Sequence, residues 1–178
     1  MSEPTGPVIR IMIVDDHAVV RDGLKAVISL MDDLAVVAEA GNGAEAMLKA
    51  QACAPDVILM DIGMKGENGI EVTQRLLDED PARAVLMLTM HDGVEHAQRA
   101  LKAGARGYVL KDAPSGEILE AIRAVAEGGS FLSPALAVRM YRPPTARVQL
   151  SEREHEILRQ WFIVHVVWSL DALNEVFA

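Results

Sequence analysis

Val57-Ile58-Leu59-Met60-Asp61 is a run of four apolar residues that ends on an acid. Three other runs are built the same way. Ile11-Met12-Ile13-Val14 ends on Asp15-Asp16, Val85-Leu86-Met87-Leu88 on Thr89, and Gly107-Tyr108-Val109-Leu110 on Lys111. Short apolar runs that alternate with helix-like stretches read as parallel strands buried on both faces. Open parallel sheets bind their ligands in the crevice at the carboxyl ends of the strands. The pattern therefore places three carboxylates, a hydroxyl and an ammonium in one crevice.

Outward from these runs the chain keeps its rhythm. Strands are expected at residues 8–14, 34–38, 56–60, 84–88 and 106–110. Helices are expected at 18–30, 44–52, 70–77, 94–103 and 115–126. In the first helix Val19, Val20, Leu24, Val27, Ile28 and Met31 share a face. Gly41-Asn42-Gly43 reads as a turn, Pro55 and Asp80-Pro81 as stops, and Gly104 and Gly128-Gly129 as helix C-termini. Five βα units in about 120 residues make one α/β domain, with right-handed crossovers laying helices on both faces of a parallel sheet.

Residues 129–149 differ in character, with Arg139, Arg142 and Arg147, Pro134 and Pro143-Pro144, and no acid. This stretch reads as a linker with one helical turn around 135–140. A new helix is expected at Ser151-Glu152-Arg153-Glu154, which fits a capping box. It gives way to Trp161-Phe162-Ile163-Val164-His165-Val166-Val167-Trp168, where β-branched and aromatic residues make strand as good a reading as helix.

Composition sets outer bounds. The chain has 178 residues, 51% hydrophobic and 24% charged, with a formal net charge of −9. That is a globular composition, and its acidity disfavours nucleic acid unless a separate basic patch exists. Cys53 is the only cysteine, so no internal disulfide forms and a reducing cytoplasm is expected. No apolar run is long enough to span a bilayer. The first residues lack a signal-peptide pattern, so a cytoplasmic protein without membrane contact is expected.

The crevice implies a chemistry. Clustered carboxylates repel unless a cation sits among them, and a few hard oxygen donors suit Mg²⁺. Mg²⁺ and the Lys111 ammonium both favour a phosphoryl group. A carboxylate such as Asp61 can then act as nucleophile and become an aspartyl phosphate, with Lys111 neutralising charge and Thr89 hydrogen-bonding a phosphoryl oxygen. The plainer reading of each acid is a helix N-cap, and agreement among four strand ends weighs against it.

The stretches Val14-Asp15-Asp16-His17, Val57-Ile58-Leu59-Met60-Asp61-Ile62, Gly69-Ile70-Glu71, Leu88-Thr89-Met90-His91-Asp92 and Ala103-Gly104-Ala105-Arg106-Gly107-Tyr108-Val109-Leu110-Lys111 resemble the receiver domain of two-component response regulators, most closely the NarL/FixJ type. The resemblance covers residues 8–128. It implies a flavodoxin-like, doubly wound sheet of five strands in the order 2-1-3-4-5. It also implies Asp61 as phosphoacceptor, with Mg²⁺ held by Asp16, Asp61 and the Gly63 carbonyl, and by Asp15 through water. Thr89 and Lys111 would contact the phosphoryl group, and Tyr108 would be an aromatic switch that turns inward once Thr89 moves. The implied partner is a histidine kinase, and the implied output a changed dimerisation surface, as homodimer or with related regulators. Such a protein is a signalling phosphoacceptor that assists its own phosphorylation and dephosphorylation rather than an enzyme. Two departures stand out. Lys65 occupies a position where such domains commonly carry Pro, which is expected to loosen the loop, and Met90 is larger than the usual small residue and is expected to narrow access to the phosphoryl group.

Residues 150–158 resemble the first helix of a LuxR-type helix-turn-helix, but the residues from Trp161 onward do not resemble its continuation. Residues 151–178 carry five acids against two bases, a net −3, where a DNA-contacting module is basic. The expectation for 150–178 is an incomplete or divergent tail, with no DNA-binding residues and impaired operator binding. A regulator with an unusual C-terminal reader is the alternative. A phosphohydrolase with an Asp nucleophile fits less well, because it wants a second acid where Gly63 stands. His91 and His96 read as solvated loop histidines, Cys53 as a small core residue, and Gly41-Asn42-Gly43 lacks the third glycine of a dinucleotide loop.

Overall fold

A computed structural model describes residues 7–90 and 92–141. His91, the remainder of the expected linker at 142–149 and the tail at 150–178 lie outside the described residues. In chain order the elements are β1 (Ile9–Val14), α1 (Ala18–Ile28), β2 (Leu34–Ala40), α2 (Gly43–Cys53), β3 (Val57–Met60), α3 (Gly69–Glu79), β4 (Ala84–Thr89), α4 (Val94–Lys102), β5 (Gly107–Leu110), α5 (Ser115–Ala126), β6 (Phe131–Leu132) and α6 (Pro134–Tyr141).

The sheet runs β2-β1-β3-β4-β5-β6 and all its pairings are parallel. The two-sided burial expected of the apolar runs is complete at the centre, where no residue from Val57 to Met60 is more than 1% exposed. Alternation along the strands divides the core in two. Met12, Val14, Ile58, Met60, Val85, Met87 and Tyr108 face α2, α3, α4 and α6. Ile11, Ile13, Val57, Leu59, Leu86, Leu88 and Val109 face α1 and α5. Each such side chain contributes about 1.5–3 kcal/mol by leaving water. A one-residue slip would exchange the two faces, so packing fixes the register that holds the strand ends level.

The doubly wound architecture and the order of the first five strands agree with the sequence reading, but the sheet has six strands rather than five. β6 is two residues long and leaves no periodic signal in the sequence. It is held by Phe131 N–H donating to the Arg106 carbonyl at 3.1 Å and Ser133 N–H donating to the Tyr108 carbonyl at 3.0 Å. The single helical turn expected around 135–140 is an eight-residue helix. Pro134 opens it, at the position where a missing N–H costs nothing, and Leu136, 1% exposed, buries it against the core.

Candidate functional site

The carboxyl ends of β1, β3, β4 and β5 bring Asp15, Asp61, Thr89 and Lys111 to one place. Register does this directly: Asp61 N–H donates to the Val14 carbonyl at 2.9 Å, and Lys111 N–H to the Thr89 carbonyl at 2.8 Å. Asp15, Asp61 and Thr89 are all buried. Lys111 Nζ lies 2.5 Å from Asp15 Oδ2 and 2.9 Å from Asp61 Oδ2, so one ammonium bridges two acids from neighbouring strands.

The plainer reading of these acids as helix caps does not match the geometry. Asn68, not Asp61, caps α3, accepting from Ile70 N–H at 2.9 Å. His17 stands at the cap of α1 and makes no capping bond with its side chain. Its backbone N–H instead donates to Asp15 Oδ1 at 2.8 Å.

Asp16 lies at the same rim. Its Oδ2 accepts the Lys65 backbone N–H at 3.1 Å. A proline at that position has no N–H to give, so Lys65 supplies a backbone donor to Asp16 that a proline could not. Asp16 Oδ1 is buried and no hydrogen bond reaches it, although His17 Nδ1 lies 2.8 Å away. Asp15, Asp16, His17 and Asp61 each offer one ligand atom, all within 4.8 Å of one another, a set able to hold a metal ion. Three carboxylates meet here and the one ammonium reaches two of them, and buried carboxylate oxygens without a donor are costly. The orphaned Asp16 oxygen and the hard donor set fit a small divalent cation.

The loop leaving Asp61 is shaped by Gly69. A Cβ there would stand 1.8 Å from the Asp61 carbonyl oxygen, because Gly69 N–H turns back to the Ile62 carbonyl at 3.0 Å. Gly63 lies exposed on this loop. Glu67 pins the loop to a second helix start, accepting Gly43 N–H at 2.6 Å. Met90 is 69% exposed and lines a cleft of about 600 Å³ with His17 and Lys111.

Tyr108 is fully buried and its side chain is hydrogen-bonded to that of Thr89. The inward turn that the sequence reading placed after a movement of Thr89 is therefore already present in this structure. Burial pushes the Tyr108 phenol up to about 12; the Thr89 bond pulls the other way and the Asp92 charge adds to the rise. The folded-state value lies above the ordinary 10.0, so the stability this group contributes is intact below pH 10 and is lost as pH climbs through about 12. Alkaline titration followed by phenolate absorbance should show one of the chain's two tyrosines ionising only near pH 12. Tyr108→Phe should remove that step, and Thr89→Val should move it higher. Two phenols titrating together at the ordinary value would contradict this.

The sequence reading missed several members of this surround: His17 beside the acids, the Lys65 N–H, and Arg21, which donates to the Asp15 carbonyl at 2.7 Å. Only His17 left a signal, its place directly after two acids at a strand end. His96 falls within α4. Cys53 ends α2 half-buried, with its carbonyl accepting from Arg10 at 2.7 Å. Among the described residues no helix is long and apolar enough to cross a membrane.

Comparison with known proteins agrees with this geometry. The family described as "Response regulator receiver domain" matches residues 11–123. The chain belongs to the response regulator receiver family. Its relatives include the oxygen regulatory protein NreC of Staphylococcus carnosus (strain TM300), 38% identical over 132 residues, covering 74% of this chain and 61% of that protein. NreC of Staphylococcus aureus (strain bovine RF122 / ET3-1) is 39% identical over 162 residues, covering 84% of this chain and 75% of that protein. Among solved structures, a LuxR-family two-component response regulator from Aurantimonas sp. SI85-9A1 superposes with a TM-score of 0.73 at 39% identity, covering 75% of this chain and 95% of that one. These relatives agree with the NarL/FixJ type read from the motifs.

Proposed function

We propose that this receiver accepts a phosphoryl group on Asp61 from a histidine kinase in a Mg²⁺-dependent reaction and so switches its dimerisation and output surface. The observation that carries the reading is Lys111 bridging Asp15 and Asp61 beside the orphaned Asp16 oxygen. The ion would be held by Asp16, Asp61 and the Gly63 carbonyl, with Asp15 acting through water. Bound Mg²⁺ would supply charge neutralisation for the transferring group. An Asp61 carboxylate oxygen attacks phosphorus, a P–O bond forms, the P–N bond to the kinase imidazole breaks, and that nitrogen keeps the electron pair and takes a proton. Lys111 would leave one of its carboxylate partners for a phosphoryl oxygen.

Thr89 would report the phosphoryl group. A hydroxyl has one proton and two acceptor sites. The bond to Thr89 pulls the Tyr108 phenol down, as a hydroxyl proton shared with the phenol oxygen does, so a phosphoryl oxygen would compete with Tyr108 for the Thr89 proton. The receiver would then be a signalling phosphoacceptor that promotes its own phosphorylation and dephosphorylation, working in the cytoplasm as a homodimer or with related regulators. The acidic balance of residues 151–178 supports impaired operator binding by this chain.

The test uses a small-molecule phosphodonor with Mg²⁺. Intact-mass spectrometry should show a gain of one phosphoryl group, abolished by chelation of the metal, with the acyl phosphate mapped by borohydride reduction. No mass gain under conditions that phosphorylate a control receiver rejects the proposal.

A further inference from the structure

We propose that His17 is a nitrogen ligand of the metal site, which shifts its preference from Mg²⁺ towards divalent transition ions; this rests on the metal-dependent reading above. The conventional set for this reading consists of carboxylates, a backbone carbonyl and water, all hard oxygen donors. His17 Nδ1 adds a different kind of donor, 2.8 Å from Asp16 Oδ1 and 3.2 Å from Asp15 Oδ1.

Those separations suit ligands sharing an ion. Adjacent donors of an octahedral ion with bonds of about 2.1 Å lie about 3.0 Å apart, and the two observed distances fall on either side of it. Asp16 Oδ1 is the second observation. The Asp16 side chain is 9% exposed, and this oxygen has no hydrogen-bond partner even though Nδ1 is within reach. His17 Nδ1 stands against this oxygen in ion-pair contact, so the two groups already sit at the separation of donors that share one ion. The other oxygen, Oδ2, is already taken by Lys65 N–H, which leaves Oδ1 as the ligand atom.

The imidazole is held in place by its own backbone. His17 N–H donates to Asp15 Oδ1, and the His17 carbonyl accepts from Val20 N–H and Arg21 N–H in the first turn of α1. The ring therefore starts from a fixed point on the rim, while its 57% exposure lets it exchange the Asp15 contact for an ion. Imidazole favours transition ions over Mg²⁺, which prefers carboxylate and water.

The test uses wild type and His17→Asn with Mn²⁺, Co²⁺ and Mg²⁺ as probes. Pulsed electron paramagnetic resonance on the Mn²⁺ complex should show an imidazole nitrogen coupled to the ion in wild type and none in His17→Asn. By calorimetry the variant should lose about tenfold or more in Co²⁺ affinity and less in Mg²⁺ affinity. Circular dichroism checks that the variant is folded, and the wild-type nitrogen signal does not depend on the variant. Mn²⁺ binding without a nitrogen coupling, or equal losses for Co²⁺ and Mg²⁺, overturns the role of His17 and leaves the Mg²⁺-dependent reading standing. No divalent ion bound by wild type overturns both.

Discussion

Asp61→Asn is expected to reduce phosphoryl uptake to nothing detectable while leaving the fold intact. The amide keeps the shape of the carboxylate but is a poor nucleophile, so no acyl phosphate forms. The substitution also changes the local charge. Lys111 bridges Asp15 and Asp61, with the Asp16 carboxylate on the same rim, so the acids outnumber the ammonium. Removing one acid relieves repulsion and leaves the Lys111–Asp15 pair in place. In metal-free buffer the melting temperature of the variant should therefore equal or exceed that of wild type. Added Mg²⁺ should stabilise wild type more than the variant, because a ligand that binds only the folded state stabilises it by an amount that grows with the logarithm of its concentration over Kd. Thermal melts with and without Mg²⁺, paired with intact-mass measurement after phosphodonor treatment, check both halves. Wild-type uptake by the variant would move the nucleophile to Asp15 or Asp16, and a marked loss of stability would mean that Asp61 is held for structural reasons.

Gly69→Ala should be the most damaging of the glycine substitutions at the site. Its Cβ would fall 1.8 Å from the Asp61 carbonyl oxygen, 2.8 Å from the Asp61 carbonyl carbon and 3.0 Å from the Ile62 Cα. All three are backbone atoms, so no side chain can swing aside. Either the start of α3 or the end of β3 must shift, and β3 is the buried centre of the sheet. Forced repacking of this kind costs about 1–3 kcal/mol or somewhat more, and it displaces the residue that carries the proposed chemistry. Urea denaturation should show a loss in that range, and phosphoryl uptake should fall even at temperatures where the variant is folded. Gly23→Ala is the control. Nothing lies within 4 Å of a Cβ there, and alanine in the interior of α1 should stabilise by about 0.5–1 kcal/mol. Equal effects at the two positions would refute the close approach at Gly69.

The framework was legible in the sequence because burial and periodicity are local signals. Val57 to Met60 can be apolar throughout only in a strand covered on both faces, and the four polar residues that end such strands fall at one edge once the strands are parallel. Asp15, Asp16, Asp61, Thr89 and Lys111 therefore fall at one edge of the sheet from the sequence alone. β6 was not legible: two residues, Phe131 and Leu132, carry no period, and their pairing partner Gly107–Tyr108 lies more than twenty residues earlier. The Lys65 tether was hidden for a similar reason. It is made by a backbone N–H, which every residue except proline possesses, so residue type said only that the bond was allowed.

The sequence by itself determined the α/β winding and the set of reactive groups at the strand ends, because these follow from which residues avoid water and in what order. Only the tertiary structure decided which acids Lys111 bridges, that one Asp16 oxygen is left without a donor while His17 stands beside it, and that Tyr108 is already inside against Thr89. Those are matters of distances between separate elements, set by how the strands and helices pack rather than by any local pattern along the chain.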